Sequence, residues 1–102
     1  MKFIFVYITC PTFISAKKIT KRLLSRKTIG CANIFPVKSF YRWNKKINED
    51  GEWVIVAKTS SAKFNAVKKE VCSEHPYKVP CITKIFIEPN KEYSAWLAGE
   101  LK

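Results

Sequence analysis

Apolar periodicity changes along this chain in a fixed order: strand-like, helix-like, strand-like twice, helix-like, then strand-like again. Few folds accept that order. Phe3 to Thr9 reads as a buried strand that Cys10-Pro11-Thr12 breaks. Thr12 is placed to cap a helix running to about Lys27. In that helix Ala16, Ile19 and Leu23 recur at helical spacing with Leu24 beside them, and Lys17, Lys18, Lys21, Arg22 and Lys27 cover the other sides. Gly30 ends this crossover, and Cys31 to Trp43 reads as a long second strand. Pro36 within it predicts a bulge or bend, because a central strand has no donor to spare.

Asn48-Glu49-Asp50-Gly51 predicts a hairpin turn, followed by a third strand over Glu52 to Thr59. That strand is nearly all apolar, as a doubly covered central position requires. Ser60 or Ser61 is expected to cap a second helix to about Cys72, with Phe64, Val67 and Val71 facing inward. His75-Pro76-Tyr77 and Pro80 make a rigid loop, and Cys81 to Glu88 is the fourth strand. Pro89-Asn90 then starts a short C-terminal helix carrying Tyr93, Trp96 and Leu97.

The β-α-β-β-α-β order predicts an α+β, ferredoxin-like sandwich: two right-handed crossovers place both helices on one face of a four-stranded antiparallel sheet. With 102 residues there is room for one domain, spanning 1–102. Alternate members of the second strand (Cys31, Asn33, Phe35, Val37, Tyr41 and Trp43) share one face. Its apolar members would leave the uncovered side of the sheet greasy, so self-assembly is expected, with Tyr41 and Trp43 at the interface.

Charge is distributed unevenly. No Asp or Glu precedes Glu49, while residues 1–48 carry eleven Lys or Arg; residues 49–102 carry eight of each sign. The whole excess of +11 therefore sits in the first half. Such a surface admits an anionic partner, or serves only to keep the protein soluble. Exposed aromatics are not interleaved with the basic residues, which weighs against nucleic acid. Lys2 and the apolar run after it superficially resemble a signal peptide. The run is short, rich in β-favouring residues and lacks a small-residue cleavage site, so a cytoplasmic chain is expected. No stretch approaches the ~18 apolar residues of a spanning helix, so no membrane partner is expected.

Several short motifs resemble the CutA divalent-cation-tolerance proteins. They are Gly30-Cys31-Ala32-Asn33-Ile34, Tyr41-x-Trp43, then Ile47 and Glu52, Lys58-Thr59, His75-Pro76-Tyr77-x-x-Pro80 and Tyr93-x-x-Trp96. They cover nearly the whole chain in the family's order and spacing. The resemblance implies a ferredoxin-like subunit in a tight homotrimer, linked to tolerance of copper and other divalent ions. One departure is Lys45, where the family usually has Gly after Trp-x.

The candidate metal ligands are Cys31, Cys72, His75 and Cys81, with Cys10 as an outsider. Thiolate and imidazole suit copper or zinc, and soft sulfur favours copper(I). Cys31 lies in the motif that the resemblance associates with copper. Cys72 and His75 are three apart at a helix end, a spacing that puts both on one side. No CxxC pair and no closed four-ligand set is visible, and the competing reading makes each Cys a small buried hydrophobe and His75 a loop brace. Lys58, Glu52 and Tyr77, with His75, are candidates for lining a cleft between subunits. No orienting carboxylate stands with Cys72 and His75, and the three glycines form no phosphate loop, so an enzyme is not expected. No cofactor is expected to be required, and a copper ion is the candidate to be bound. The expectation is a homotrimeric divalent-cation tolerance protein; the alternative is a trimeric sensor binding a small anion in the inter-subunit cleft.

Overall fold

The structure, a computed structural model, describes residues 1–102. Its elements are β1 (Phe3–Cys10), α1 (Phe13–Ser25), β2 (Cys31–Trp43), β3 (Lys46–Ser60), a 3-10 turn (Ser61–Lys63), α2 (Phe64–Glu74), β4 (Ile82–Ile87) and α3 (Lys91–Glu100). The four strands form one antiparallel sheet in the order β2-β3-β1-β4. This is the expected α+β arrangement.

Strand alternation assigns the two faces. Ile4, Val6, Ile8 and Cys10 of β1 point with Ile55 and Ala57 of β3 toward the helices. There they meet Ala16, Ile19 and Leu23 of α1 and Val67 and Val71 of α2. All of these are buried, and each large aliphatic removed from water contributes about 1.5–3 kcal/mol before chain entropy is counted. On the reverse face Val54 and Glu52 are also buried, and one end lies under α3. Leu97 and Leu101 pack there against Phe3, with Ile87 and Tyr93 at the margin. Gly30 permits this docking: a Cβ at that position would lie 2.5 Å from Leu97 Cδ1. Beyond α3, Phe35 and Ile85 remain 39% and 49% exposed on the open sheet.

Four sequence expectations are corrected. The hairpin turns at Asn44-Lys45 and not at 48–51: Trp43 pairs with Lys46, and Asn44 and Lys45 take φ of 51° and 62°. Two consecutive left-handed residues make a type I′ turn, whose twist matches the strands, so Asn48 to Gly51 continue β3 instead. Pro36 makes no bulge, because the β2–β3 register runs unbroken from Cys31↔Lys58 to Trp43↔Lys46. β2 is an edge strand, and its free side tolerates a missing N–H. Neither Ser60 nor Ser61 caps α2 through its side chain; the chain enters that helix through the 3-10 turn, and the helix continues past Cys72 to Glu74. Thr12 does cap α1, in a reciprocal capping box with Ser15, but the helix stops at Ser25, short of Lys27.

Candidate functional site

Cys31 opens β2 and is partly buried. Its sulfur lies 3.7 Å from Lys58 Nζ, which donates a 2.8 Å hydrogen bond to Asn33 Oδ1 and sits 5.7 Å from the centre of the Tyr93 ring. Burial pushes the Tyr93 phenol up to about 12. Cys72 is exposed near the end of α2, and Cys81 is exposed just before β4. Cys10 is buried in the core, and burial, reinforced by the Glu52 charge, pushes its thiol up to about 11.

His75 is the C-cap of α2 and is buried. Nε2 lies 2.7 Å from the Thr9 carbonyl oxygen, and Nδ1 accepts a 3.0 Å hydrogen bond from the Tyr77 backbone N–H. An accepting Nδ1 assigns the proton of the neutral ring to Nε2, which donates to Thr9. Both nitrogens are thus committed to bracing the loop, and the ring has no free position for an ion.

The sheet register separates the thiols. Cys31 is opposite Lys58, which shares a row with Phe5 and Ile85, whereas Cys81 precedes the Ile82↔Ile8 pair. Three strand spacings and four residues therefore divide Cys31 from Cys81, on the order of 14 Å across the sheet and 13 Å along it. The four proposed ligands do not converge within one chain, and no group of three or more His, Cys, Asp or Glu side chains is placed to hold a metal ion.

A different set does converge. Where the β2–β3 hairpin leaves the body of the sheet, the loop after His75 lies beside it and encloses a cavity of about 800 Å³. Its walls include Phe40, Tyr41, Trp43 and Tyr77, and its acidic side is Asp50 and Glu52. Asp50 and Glu52 stand two apart on β3 and so share a face. Tyr77 donates a 2.7 Å hydrogen bond to Glu52 Oε2, and Tyr41 donates to Asp50 Oδ2. Burial and then the Glu52 hydrogen bond raise the Tyr77 phenol, while the hydrogen bond to Asp50 is the main cause of the rise at Tyr41. Both phenols therefore stay protonated donors.

The structure thus joins the anticipated cleft residues Glu52 and Tyr77 with the anticipated interface residues Tyr41 and Trp43, and adds Cys81 at the margin. Lys58 stands apart, with Cys31. Asp50 and Phe40 were not anticipated. The local turn signal puts Asp50 in a turn, whereas its period-two spacing from Glu52 is the signal that places it on the strand.

The basic face of α1 is partly neutralised by α2. Arg22 bridges Glu70 and Glu74, with Lys18 3.5 Å from Glu74 and Arg26 3.6 Å from Glu70. No helix is long and apolar enough to cross a membrane.

Residues 4–100 match the family model described as CutA1 divalent ion tolerance protein. A divalent-cation tolerance protein CutA of Archaeoglobus fulgidus is 46% identical over 94 residues, covering 91% of this chain and 92% of that one. One from Thermococcus kodakarensis is 40% identical over 102 residues, covering 99% and 98%. Among solved structures, the Archaeoglobus fulgidus CutA, described as periplasmic, superposes with a TM-score of 0.96 at 42% identity, covering 98% of this chain and 99% of that chain.

Proposed function

The chain belongs to the CutA1 divalent ion tolerance family, and from that premise we propose that it acts as a homotrimeric, cytoplasmic binding protein in the response to divalent metal ions, and not as an enzyme. The observation that carries the assembly is the half-covered sheet. Phe35 and Ile85 lie open beside Tyr7, Val37 and Val56, an apolar face of the kind that copies of one chain bury against each other. Tyr41 and Trp43 extend it along the hairpin, and the cleft beside them would be finished by a neighbouring subunit.

Copper or a comparable ion would be taken at dispersed donors, since the thiols are separated and both nitrogens of His75 are engaged. Cys31 is the thiol best placed, next to a lysine and partly open to solvent. Four free cysteines accord with a reducing compartment. The small-anion alternative has less support at the cleft, where Asp50 and Glu52 face the cavity and Lys78 is the single cation among the lining residues. Light scattering after size exclusion tests the assembly: three times the chain mass is expected, and a monomer would sink the proposal. Titration of the reduced protein with copper(I) tests the ion. Weaker binding by Cys31→Ser is expected, and unchanged affinity removes that ligand.

A further inference from the structure

We propose that the cleft between the hairpin and the Pro76–Pro80 loop is a binding site for an organic ammonium ion, a protonated amine carrying its own apolar carbon. This deepens the reading above, because it rests on the cleft staying open in the assembled protein. Asp50 and Glu52 each accept one phenol on a single oxygen, Oδ2 and Oε2, and neither Oδ1 nor Oε1 takes a hydrogen bond from the protein. Two carboxylate oxygens thus remain as acceptors, held in place by donors that stay protonated. Glu52 is 8% exposed, so its carboxyl group is held in place and largely removed from water.

The remaining walls are aromatic. Phe40, Tyr41, Trp43 and Tyr77 line the same cavity and are all more than a third exposed in the single chain, so the ring surface that a neighbouring subunit does not cover faces a ligand. Ring faces attract cations, most strongly when the cation is a weakly hydrated ammonium. With Lys78 counted, the lining carries one net negative charge, which attracts a cation and repels an anion. A bare divalent ion fits less well: it needs a compact shell of oxygen, nitrogen or sulfur ligands. This cavity of about 800 Å³ offers no such group of three. The volume suits an organic ligand of ordinary metabolite size.

Calorimetric titration with 1,4-diaminobutane and with tetramethylammonium provides the test, with 1,4-butanediol and inorganic phosphate as controls. The two ammonium probes are expected to bind and the diol and phosphate to give no heat. Glu52→Gln, which keeps an acceptor for Tyr77, and Trp43→Ala should each weaken the ammonium probes about tenfold or more. Equal affinity in the variants, binding of the diol as well as the diamine, or no ammonium binding by the wild-type protein would overturn the inference. Light scattering on the same samples separates the two readings. A trimer that ignores ammonium removes this site and leaves the assembly standing, whereas a monomer that binds it does the reverse.

Discussion

Lys27 and Lys45 hold backbone conformations that proteins usually give to glycine, with φ of 58° and 62°. At Lys27 the reason is the exit of α1: Thr28 N–H reaches back to the Leu23 carbonyl and Lys27 N–H to that of Leu24, the paired bonds of a Schellman motif. At Lys45 it is the two-residue hairpin turn. A Cβ in this region costs about 1–2 kcal/mol, partly offset by the entropy that glycine loses on folding. Lys45→Gly should therefore stabilise the fold by about 0.5–1 kcal/mol, read as a higher midpoint in chemical denaturation at unchanged slope. The opposite exchange at Gly30 should destabilise by about 1–3 kcal/mol, since Ala there presses on Leu97 in a packed site, and thermal melting would register it. The family resemblance marks Lys45 as occupying a glycine slot. The sequence does not show that the turn itself lies there, because Asn48 to Gly51 is a better local turn signal that unbroken pairing with β2 overrides.

The two helices are tied by carboxylates on one side and guanidinium on the other. Arg22 holds the Glu70 carboxyl below its usual range, chiefly through their hydrogen bond. A carboxylate lowered on folding stabilises the native state above its unfolded pKa of about 4.5, and that contribution fades as acid protonates the folded form. Stability should thus decline in acid below about pH 4.5, and Arg22→Gln should flatten that part of the curve when denaturation midpoints are compared across pH. The helices themselves were legible because their apolar spacing and the Thr12 cap agree. Their partner carboxylates were not, because Glu70 and Glu74 lie about fifty residues from Arg22 and only the second crossover brings them alongside.

At the scale of the molecule, the sheet buries one face under α1 and α2 and only part of the other under α3. Phe35→Glu should leave the monomer fold intact, since the side chain is 39% exposed, yet shift the light-scattering mass from that of the proposed trimer toward monomer. Element order and the greasy sheet face could be read from periodicity alone. The cleft could not, since it joins the tip half of a hairpin to a loop that follows a different crossover. The four candidate metal ligands stand apart within one chain for the same reason: residue type says what could bind, and only the register says what stands together.

The hairpin formed by β2 and β3 makes the body 45 Å long but only 24 by 20 Å across. Its outer half, beyond Pro36↔Trp53, has neither helix layer behind it, and at its end Phe40, Trp43 and Ile47 are each more than half exposed. In a lone chain, amide protons there should exchange with solvent through local fraying, with protection falling steadily along β3 from Ile55 toward Lys46. Copies that clasp this arm would erase the gradient. Deuterium uptake along fifteen residues of β3 thus becomes a ruler for assembly that needs no ligand and no substitution.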